Sequence, residues 1–330
     1  MFAEATTEKE LLDLLAMAGA RDVPVFVLGG GSNVVVADQG FPGLVIHMAM
    51  TGIRVQDDGA RVQLHAAAGE QLDAIVARAV AEHWAGLECL SGIPGLVGAT
   101  PIQNVGAYGQ EVSETVVAVR AYDRQSGQFV LLSRDDCRFA YRSSVFRGAS
   151  RFVVTAVQLS LDRSDASRPV RYAELARALG VRTGATAPLA LVRDTVLGLR
   201  RSKGMVCDPA DPESFSAGSF FVNPVLTEAQ RDALEGRLRS QGQLAADDAM
   251  PGFAAGDGAW KVPAAWLIEH AGFSKGTSRG GVGVSKRHAL ALVNRGGTTD
   301  ALLAFEAEIR AAVRERFGVE LQREPVVVGG

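Results

Sequence analysis

Behind Thr7, the residues Leu11, Leu14, Leu15 and Ala18 recur at helical spacing, and Thr7 with Glu10 has the form of a capping box, so the pattern predicts a helix over 7–17. Val25, Phe26, Val27 and Leu28 then make a short apolar run of the kind a buried strand needs. Three glycines interrupt it, and Val34, Val35 and Val36 begin a second run. The stretch "GLVIH" reads as a further strand. Val62, Leu64 and Ala66 alternate as a half-buried strand. Leu72, Ile75, Val76, Ala79, Val80 and His83 return to helical spacing, which predicts a helix over 70–84 with His83 at the edge of the core.

A long segment follows, "GLECLSGIPGLVGATPIQNVGAYGQEV", with neither helical nor strand periodicity. A run of this length without regular structure inside a domain is usually functional or disordered, and its apolar content argues for a binding segment. Strand-like runs cover 115–122, 129–132 and 152–161, and 188–200 reads as helix. Residues 207–215, rich in Asp, Pro and Ser, mark a domain boundary. Beyond it the pattern predicts a polar helix over 228–239, an apolar one over 263–270 and a long one over 300–317. In the last, Leu302, Phe305, Ile309 and Val313 share a face and Gly318 supplies the stop. "GVELQREPVVVGG" returns as strand. Strands and helices mix with antiparallel-looking clusters, so the fold class expected is α+β and not a doubly wound sheet.

Composition narrows the function. The 330 residues carry a formal net charge of -3, which leaves no electrostatic footprint for nucleic acid or an anionic membrane. The N-terminus lacks the basic end and apolar run of a signal peptide, and no apolar stretch approaches the roughly 20 residues of a membrane span. Cys89, Cys137 and Cys207 are far apart and odd in number, which reads as reduced thiols in a cytoplasmic protein. The five histidines make no ligand pattern, and no metal is expected.

The turn Gly29, Gly30, Gly31, Ser32, Asn33 follows a strand, and glycines so placed often let a backbone come close to a phosphate. It is not a Walker loop, because no lysine follows the glycines before Lys203. Nor is it a Rossmann turn, since it leads into a second β-branched run and not a helix. Alone it is a weak signal. Followed in order by "SGIPGLVGATPIQNVGAYG", "FAYRSSVF", "SAGSFFVNP" and "LQREPVVVGG", it resembles the UDP-N-acetylenolpyruvoylglucosamine reductase family over nearly the whole chain.

The resemblance implies an FAD-binding module of the vanillyl-alcohol-oxidase type in two subdomains, followed by an α+β substrate domain. Residues 1–50, completed by 324–330, would be the first subdomain, 51–207 the second, and 208–323 the substrate domain. It implies FAD cradled by Gly29, Gly30, Gly31, Ser32 and Asn33 on one side. On the other would stand Gly92, Ile93, Pro94, Gly95, Gly98, Ala99, Gln103, Asn104, Gly106 and Ala107. The implied reaction reduces the enolpyruvyl ether of UDP-N-acetylglucosamine to UDP-N-acetylmuramate, in peptidoglycan precursor synthesis, with NADPH as hydride donor. Hydride delivery to the enol ether puts negative charge on the carboxylate-bearing carbon, so an electrophilic partner and a proton donor are needed.

Arg142, in "YRSSVF", suits the first need, since its guanidinium stays charged and meets a carboxylate with a fixed fork of donors. Without the flanking motif it would read as one more surface arginine. Glu324 matches the family's acidic partner, and Gln322, where relatives often carry a second acid, leaves Glu324 as the choice. Ser219, in "AGSFFVNP", is the candidate proton donor, with Phe220 and Phe221 placed to exclude water. A bare G-S-F-F would otherwise be a turn and a core strand. Asn223, Tyr172 and Lys203 match substrate-binding positions, the last two near the diphosphate. A solvated helix end explains the basic stretch around Lys203 almost as well.

One departure stands out. Relatives carry a segment before the first helix that completes the flavin subdomain. This chain begins almost at that helix, so either the start is assigned late or the subdomain lacks an edge strand. Two other readings are weighed: an FAD-linked oxidase or dehydrogenase of the wider superfamily, and a non-catalytic nucleotide-sugar binding protein. The contexts of Ser219, Arg142 and Glu324 disfavour both. The expected partner is the sugar nucleotide alone, with the chain a cytoplasmic monomer that binds neither nucleic acid nor membrane.

Overall fold

The computed structural model describes residues 1–329 other than 246, 249 and 257. By the density of contacts the chain divides into two compact units, 1–32 with 42–206, and 33–41 with 207–330. The division falls inside the glycine turn and again at the start of the Asp/Pro/Ser-rich stretch.

The first unit opens with strand β1 (Phe2–Ala5) and helix α1 (Glu8–Ala20). Thr7 caps α1 by accepting from the Glu10 N–H, but Glu10 turns back to the Thr6 N–H and hydroxyl, so the capping box closes one residue early. The β1 strand lies parallel to β4 (Leu44–Met48), which lies parallel to β2 (Val25–Leu28), giving the order β1-β4-β2. Phe2–Ala5, which the sequence reading did not assign, is thus an edge strand of this sheet. Its alternation is too short to be read as a strand in isolation.

An antiparallel sheet follows, built from β5 (Ile53–Asp58), β6 (Arg61–Ala67), β10 (Val116–Asp123), β11 (Gln128–Ser133) and β12 (Phe152–Arg163), in the order β11-β10-β12-β6-β5. A short β7 (Trp84–Ala85) joins it on β12. Helix α2 (Leu72–Ala81) buries Leu72, Ile75, Val76 and Ala79 against Val62, Leu64, Val157 and Leu159 in one core. The helix ends two residues before His83. That histidine, at φ +59, is an exposed turn residue facing Asp165, not a residue of the core edge.

The long aperiodic segment contains two single-turn 3-10 helices, Glu88–Leu90 and Val97–Ala99, and the small hairpin of β8 (Gly106–Ala107) with β9 (Gln110–Glu111), and a third such helix, Val112–Glu114, begins at its last residue. Helices α3 (Ala173–Leu179) and α4 (Leu189–Ser202) complete the unit over a small core of their own.

Among its described residues the second unit contains β3 (Val34–Val36), three small antiparallel sheets and three α-helices. The sheets are β13 (Phe221–Val222) with β20 (Gln322–Arg323), β14 (Val225–Leu226) with β16 (Trp260–Lys261) and β15 (Phe253–Ala254), and β17 (Ser278–Arg279) with β18 (Val282–Val284) and β19 (Leu292–Asn294). Helices α5 (Glu228–Ser240), α6 (Ala264–His270) and α7 (Thr299–Phe317) bury their apolar faces in a single core around Phe220, Phe221 and Phe305. Gly318 ends α7 in the left-handed conformation at φ +70. The terminal strand β21 (Val326–Val328) pairs parallel with β3 as a separate two-stranded sheet. By contact both strands belong to this unit, and β3 lies within residues 1–50, the segment that 324–330 were expected to complete. Gly330 lies outside the described residues.

Candidate active site

In the first unit, the glycine turn and the "GIPG" loop meet. Ser32 Oγ donates to the Pro94 carbonyl at 3.2 Å. A Cβ on Gly30 would stand 2.9 Å from the Gly95 Cα, and one on Gly95, at φ +111, would stand 2.7 Å from Ser32 Oγ. Side chains at either place would push the loops apart, so the glycines are what let two backbones share one edge. Gly98 is as tightly placed, with Ala68 Cβ 2.5 Å from where its own Cβ would be. Beside them opens a cleft of about 200 Å³ lined by Val25, Val27, Gly29, Ala99, Phe146 and Val154. Apolar walls closed on one side by glycine backbone fit a flat heteroaromatic ring joined to a diphosphate, which is the make-up of FAD.

The remaining loop residues divide between lining and support. Asn104, at φ +44 and buried, donates to Glu111 Oε2 at 2.8 Å and to the Ala140 carbonyl at 3.1 Å, and accepts from Ser113 N–H. Its side chain therefore staples the hairpin to the 140–142 turn and does not face the cleft. Ile93 packs into the α2 core. Gln103 is buried, and Ala107 pairs with Gln110 in the hairpin.

Arg142 sits on that turn at φ +52, and its Nη2 donates to the Gly106 carbonyl at 2.8 Å. Arg147 holds the Arg142 carbonyl at 2.8 Å. Asn104, Tyr108, Arg138 and Arg142 all adopt positive φ in this one pair of loops. Such conformations cost about 1–3 kcal/mol each where the residue is not glycine, and they persist where surrounding structure fixes a functional geometry.

Tyr172 and Lys203 are brought together around a residue the sequence reading passed over, Tyr108. The Tyr172 ring stands edge-on to Tyr108 at 5.6 Å, and Lys203 Nζ lies 5.7 Å from the Tyr108 ring centre. Lys203 Nζ also donates to Glu174 Oε2 at 2.6 Å. Burial pushes the Tyr108 phenol up to about 12, so it serves as a neutral hydroxyl. Only its positive φ inside "GAYG" distinguishes it, and that is invisible in a sequence.

Ser219 and Glu324 come together in the second unit. Phe220 N–H donates to the Leu290 carbonyl at 2.7 Å, and the Phe220 carbonyl accepts the Glu324 N–H at 3.0 Å. One buried phenylalanine thus pins the backbone beside both residues. Gly218, at φ +74, turns the chain just before Ser219. Asn33 Nδ2 donates to the Glu324 carbonyl at 3.3 Å, which ties the end of the glycine turn to the same place. Asn223 Oδ1 accepts the Ala264 N–H at 2.9 Å at the start of α6, leaving its NH₂ as the donor end.

Cys89 and Cys137 are buried, and burial pushes both thiols up to about 12, so neither is a nucleophile at neutral pH. Among the described residues no group of three or more His, Cys, Asp or Glu could hold a metal ion, and no helix is long and apolar enough to cross a membrane.

Residues 1–133 match the FAD binding domain, and residues 210–328 match the C-terminal domain of UDP-N-acetylenolpyruvoylglucosamine reductase. The reductase of that name from Thermobifida fusca is 51% identical over 99% of this chain and 92% of its own length. The one from Streptomyces coelicolor is 51% identical over 98% of this chain and 84% of its own. The crystal structure of the Thermus caldophilus reductase covers 98% of this chain and 91% of that one, with a TM-score of 0.62 and 25% identity. Alike over nearly its full length to these enzymes, the chain belongs to the UDP-N-acetylenolpyruvoylglucosamine reductase family.

Proposed function

We propose that this chain reduces the enolpyruvyl ether of UDP-N-acetylglucosamine to UDP-N-acetylmuramate in peptidoglycan precursor synthesis, as an FAD-dependent oxidoreductase with NADPH as electron donor. The observation that carries this reading is the 51% identity, over 99% of the chain, to a relative bearing that enzyme's name. When bound, FAD supplies the hydride chemistry. Ser32, Gly29 to Gly31 and the loop of Gly92, Pro94, Gly95 and Gly98 would hold it.

The chain itself must manage charge and a proton. Hydride arriving at the methylene carbon of the enol ether leaves negative charge on the neighbouring carbon and its carboxylate. Arg142, its guanidinium held in place on the Gly106 carbonyl, is the electrophilic partner for that charge and meets it without having to reorganise. Glu324 is the acidic partner for the carboxylate, and the Ser219 hydroxyl gives its proton to the carbon next to the carboxylate. Phe220 and Phe221, fully buried behind Ser219, close that side to water. Lys203, Tyr172 and the donor end of Asn223 bind the sugar nucleotide, with lysine acting on the diphosphate as a mobile point charge.

In this reading residues 1–207 are the cofactor module, in two subdomains, and 208–323 the substrate domain. The chain works as a cytoplasmic monomer on a small molecule, without nucleic acid. Its reduced cysteines and near-balanced charge support that placement.

The test is a visible spectrum of the purified chain before and after anaerobic NADPH. Flavin bands that bleach with NADPH and recover on adding the enolpyruvyl sugar nucleotide are the expected result. Bleaching without recovery would assign a different substrate, and a colourless protein that takes up no FAD would overturn the reading.

A further inference from the structure

Asp73 lies in the first turn of α2 and has been given no chemical role above, yet it holds the Gly92 end of the loop read as bordering the cofactor. Its Oδ1 accepts the Gly92 N–H at 2.7 Å and Arg193 Nη1 at 2.7 Å, while Oδ2 accepts Arg193 Nη2 at 3.0 Å. The same helix end takes the rest of the loop. The Gly95 carbonyl accepts the Leu72 N–H at 3.0 Å, and Val97 N–H donates to the Glu70 carbonyl at 2.8 Å. From the other side α4 closes on Gly92. At φ +72 a Cβ there would stand 2.7 Å from Leu197 Cδ2 and 3.5 Å from Arg200 Nε. Arg193, Leu197 and Arg200 share one face of α4 at helical spacing. Arg200 Nη2 is held by the Met205 carbonyl at 2.7 Å, whereas its buried Nε has no hydrogen-bond partner among the described residues.

We propose that Asp73, with Arg193 as its counter-ion, is a positioning residue for FAD: its carboxylate fixes the peptide of Gly92 and thereby the backbone of the loop 92–95 that borders the cofactor. This rests on the FAD reading of that loop. A bidentate arginine–carboxylate pair between two helices would be complete with the two Arg193 bonds alone. The third bond, to a backbone N–H at a left-handed glycine, is what turns a staple into a positioning device. Only an ionised carboxylate accepts all three. An asparagine in its place has one acceptor oxygen and presents its NH₂ to the guanidinium.

The experiment measures FAD release from the holoprotein on dilution, followed by flavin fluorescence, for wild type, Asp73→Asn, Asp73→Glu and Arg193→Lys. Loss of a charge-assisted hydrogen bond at Gly92 raises the FAD dissociation constant of Asp73→Asn by about tenfold to a hundredfold. It also shifts the visible flavin band, while KM for the sugar nucleotide stays within about twofold. Asp73→Glu recovers part of the affinity. Wild-type affinity and an unshifted band in Asp73→Asn, even with a lowered melting temperature, would make the pair structural only and overturn the proposal. If Asp73→Asn does not fold, Arg193→Lys decides: it must weaken FAD, having lost the fork but kept the charge. A wild-type chain that takes up no FAD overturns the functional reading, and this proposal with it.

Discussion

Gly30 and Gly95 stand so close that a methyl group on the first would lie 2.9 Å from the Cα of the second. The contact is backbone against backbone, so no side chain can yield. Gly30→Ala is expected to part the two loops and weaken FAD by about tenfold, the usual size of an overpacking penalty. The control is Gly19→Ala, at an exposed site of α1 with nothing within 4 Å, which should raise stability by about 0.5–1 kcal/mol and leave FAD untouched. FAD titration and urea unfolding of both variants check the pair. Equal FAD affinity in Gly30→Ala and wild type would mean the loops part without consequence.

Arg142 is held by its bond to the Gly106 carbonyl in a backbone conformation that most side chains avoid. Lysine keeps the charge but has no fork with which to hold the carbonyl and meet a carboxylate together. Arg142→Lys should lower kcat by about a hundredfold, in line with the loss of one preorganised donor at developing charge. Flavin bleaching by NADPH should proceed at close to the wild-type rate. Stopped-flow traces of the two half-reactions separate these effects, and an equal loss in both would place Arg142 outside the substrate's chemistry.

Ser219 is flanked by a left-handed glycine and by Phe220, whose N–H and carbonyl are both engaged. Removing only its oxygen should therefore leave the strand in place. In Ser219→Ala the reoxidation of flavin by the sugar nucleotide slows by about a hundredfold or more, the range for a lost general acid. Reduction by NADPH and the melting temperature stay as they were. Replacing the solvent with D₂O should slow wild-type reoxidation. Wild-type reoxidation in the variant would remove Ser219 from the proton step.

Much of the fold was legible because burial is periodic. The helices of Leu72, Leu302 and Leu234, and the strands around Val119 and Val157, each have an apolar face long enough to count. The strand β1 and the seven-residue α3 escaped because four to seven residues hold barely two periods, and neither is as continuously apolar as Val25–Leu28 or the run at Trp266–Ile268. The candidate site was legible only where glycine or a short motif marks it. Gly30, Gly95, Ser219 and Arg142 stand in such motifs. Tyr108, Asp73 and Arg193 do not, since a conformation at one residue and a bond across 120 positions leave no local trace.

Acid should weaken the first unit in a defined range. Hydrogen bonds from Arg120 hold the Glu8 carboxyl below the usual carboxylate range, against burial, with Thr155 assisting. Burial pushes the Asp73 carboxyl up, but the bonds from Arg193 and Gly92 outweigh it and leave it lowered. Both groups are more acidic folded than unfolded, so their stabilisation is fully present above the unfolded pKa and is lost as pH falls through the folded one. Urea midpoints should hardly change from pH 7 to about pH 5 and fall below about pH 4, where free carboxylates protonate. Glu8→Gln should lower the neutral plateau and flatten the acid slope. An unchanged slope in that variant would shift the acid sensitivity to other carboxylates.

Arg323 precedes Glu324 and anchors its strand from beneath. Its Nη2 donates to Glu306 Oε2 at 2.6 Å, and the Glu306 side chain is 2% exposed in the core face of α7. Arg310 reaches the other oxygen only at 3.7 Å. Deleting the nearer cation leaves a buried carboxylate without its closest counter-charge, so Arg323→Met should cost about 3 kcal/mol, the low end for a broken buried pair because the guanidinium is partly exposed. Removing both charges in Arg323→Met with Glu306→Leu should recover most of that loss, since the desolvation of the carboxylate goes with it. Urea unfolding of the two variants measures the difference. The turnover of the double variant then reads the strand separately: if Glu324 depends on Arg323 for its place, stability returns and activity does not. Should both return together, the anchoring falls to Phe220, whose carbonyl holds the Glu324 N–H at 3.0 Å.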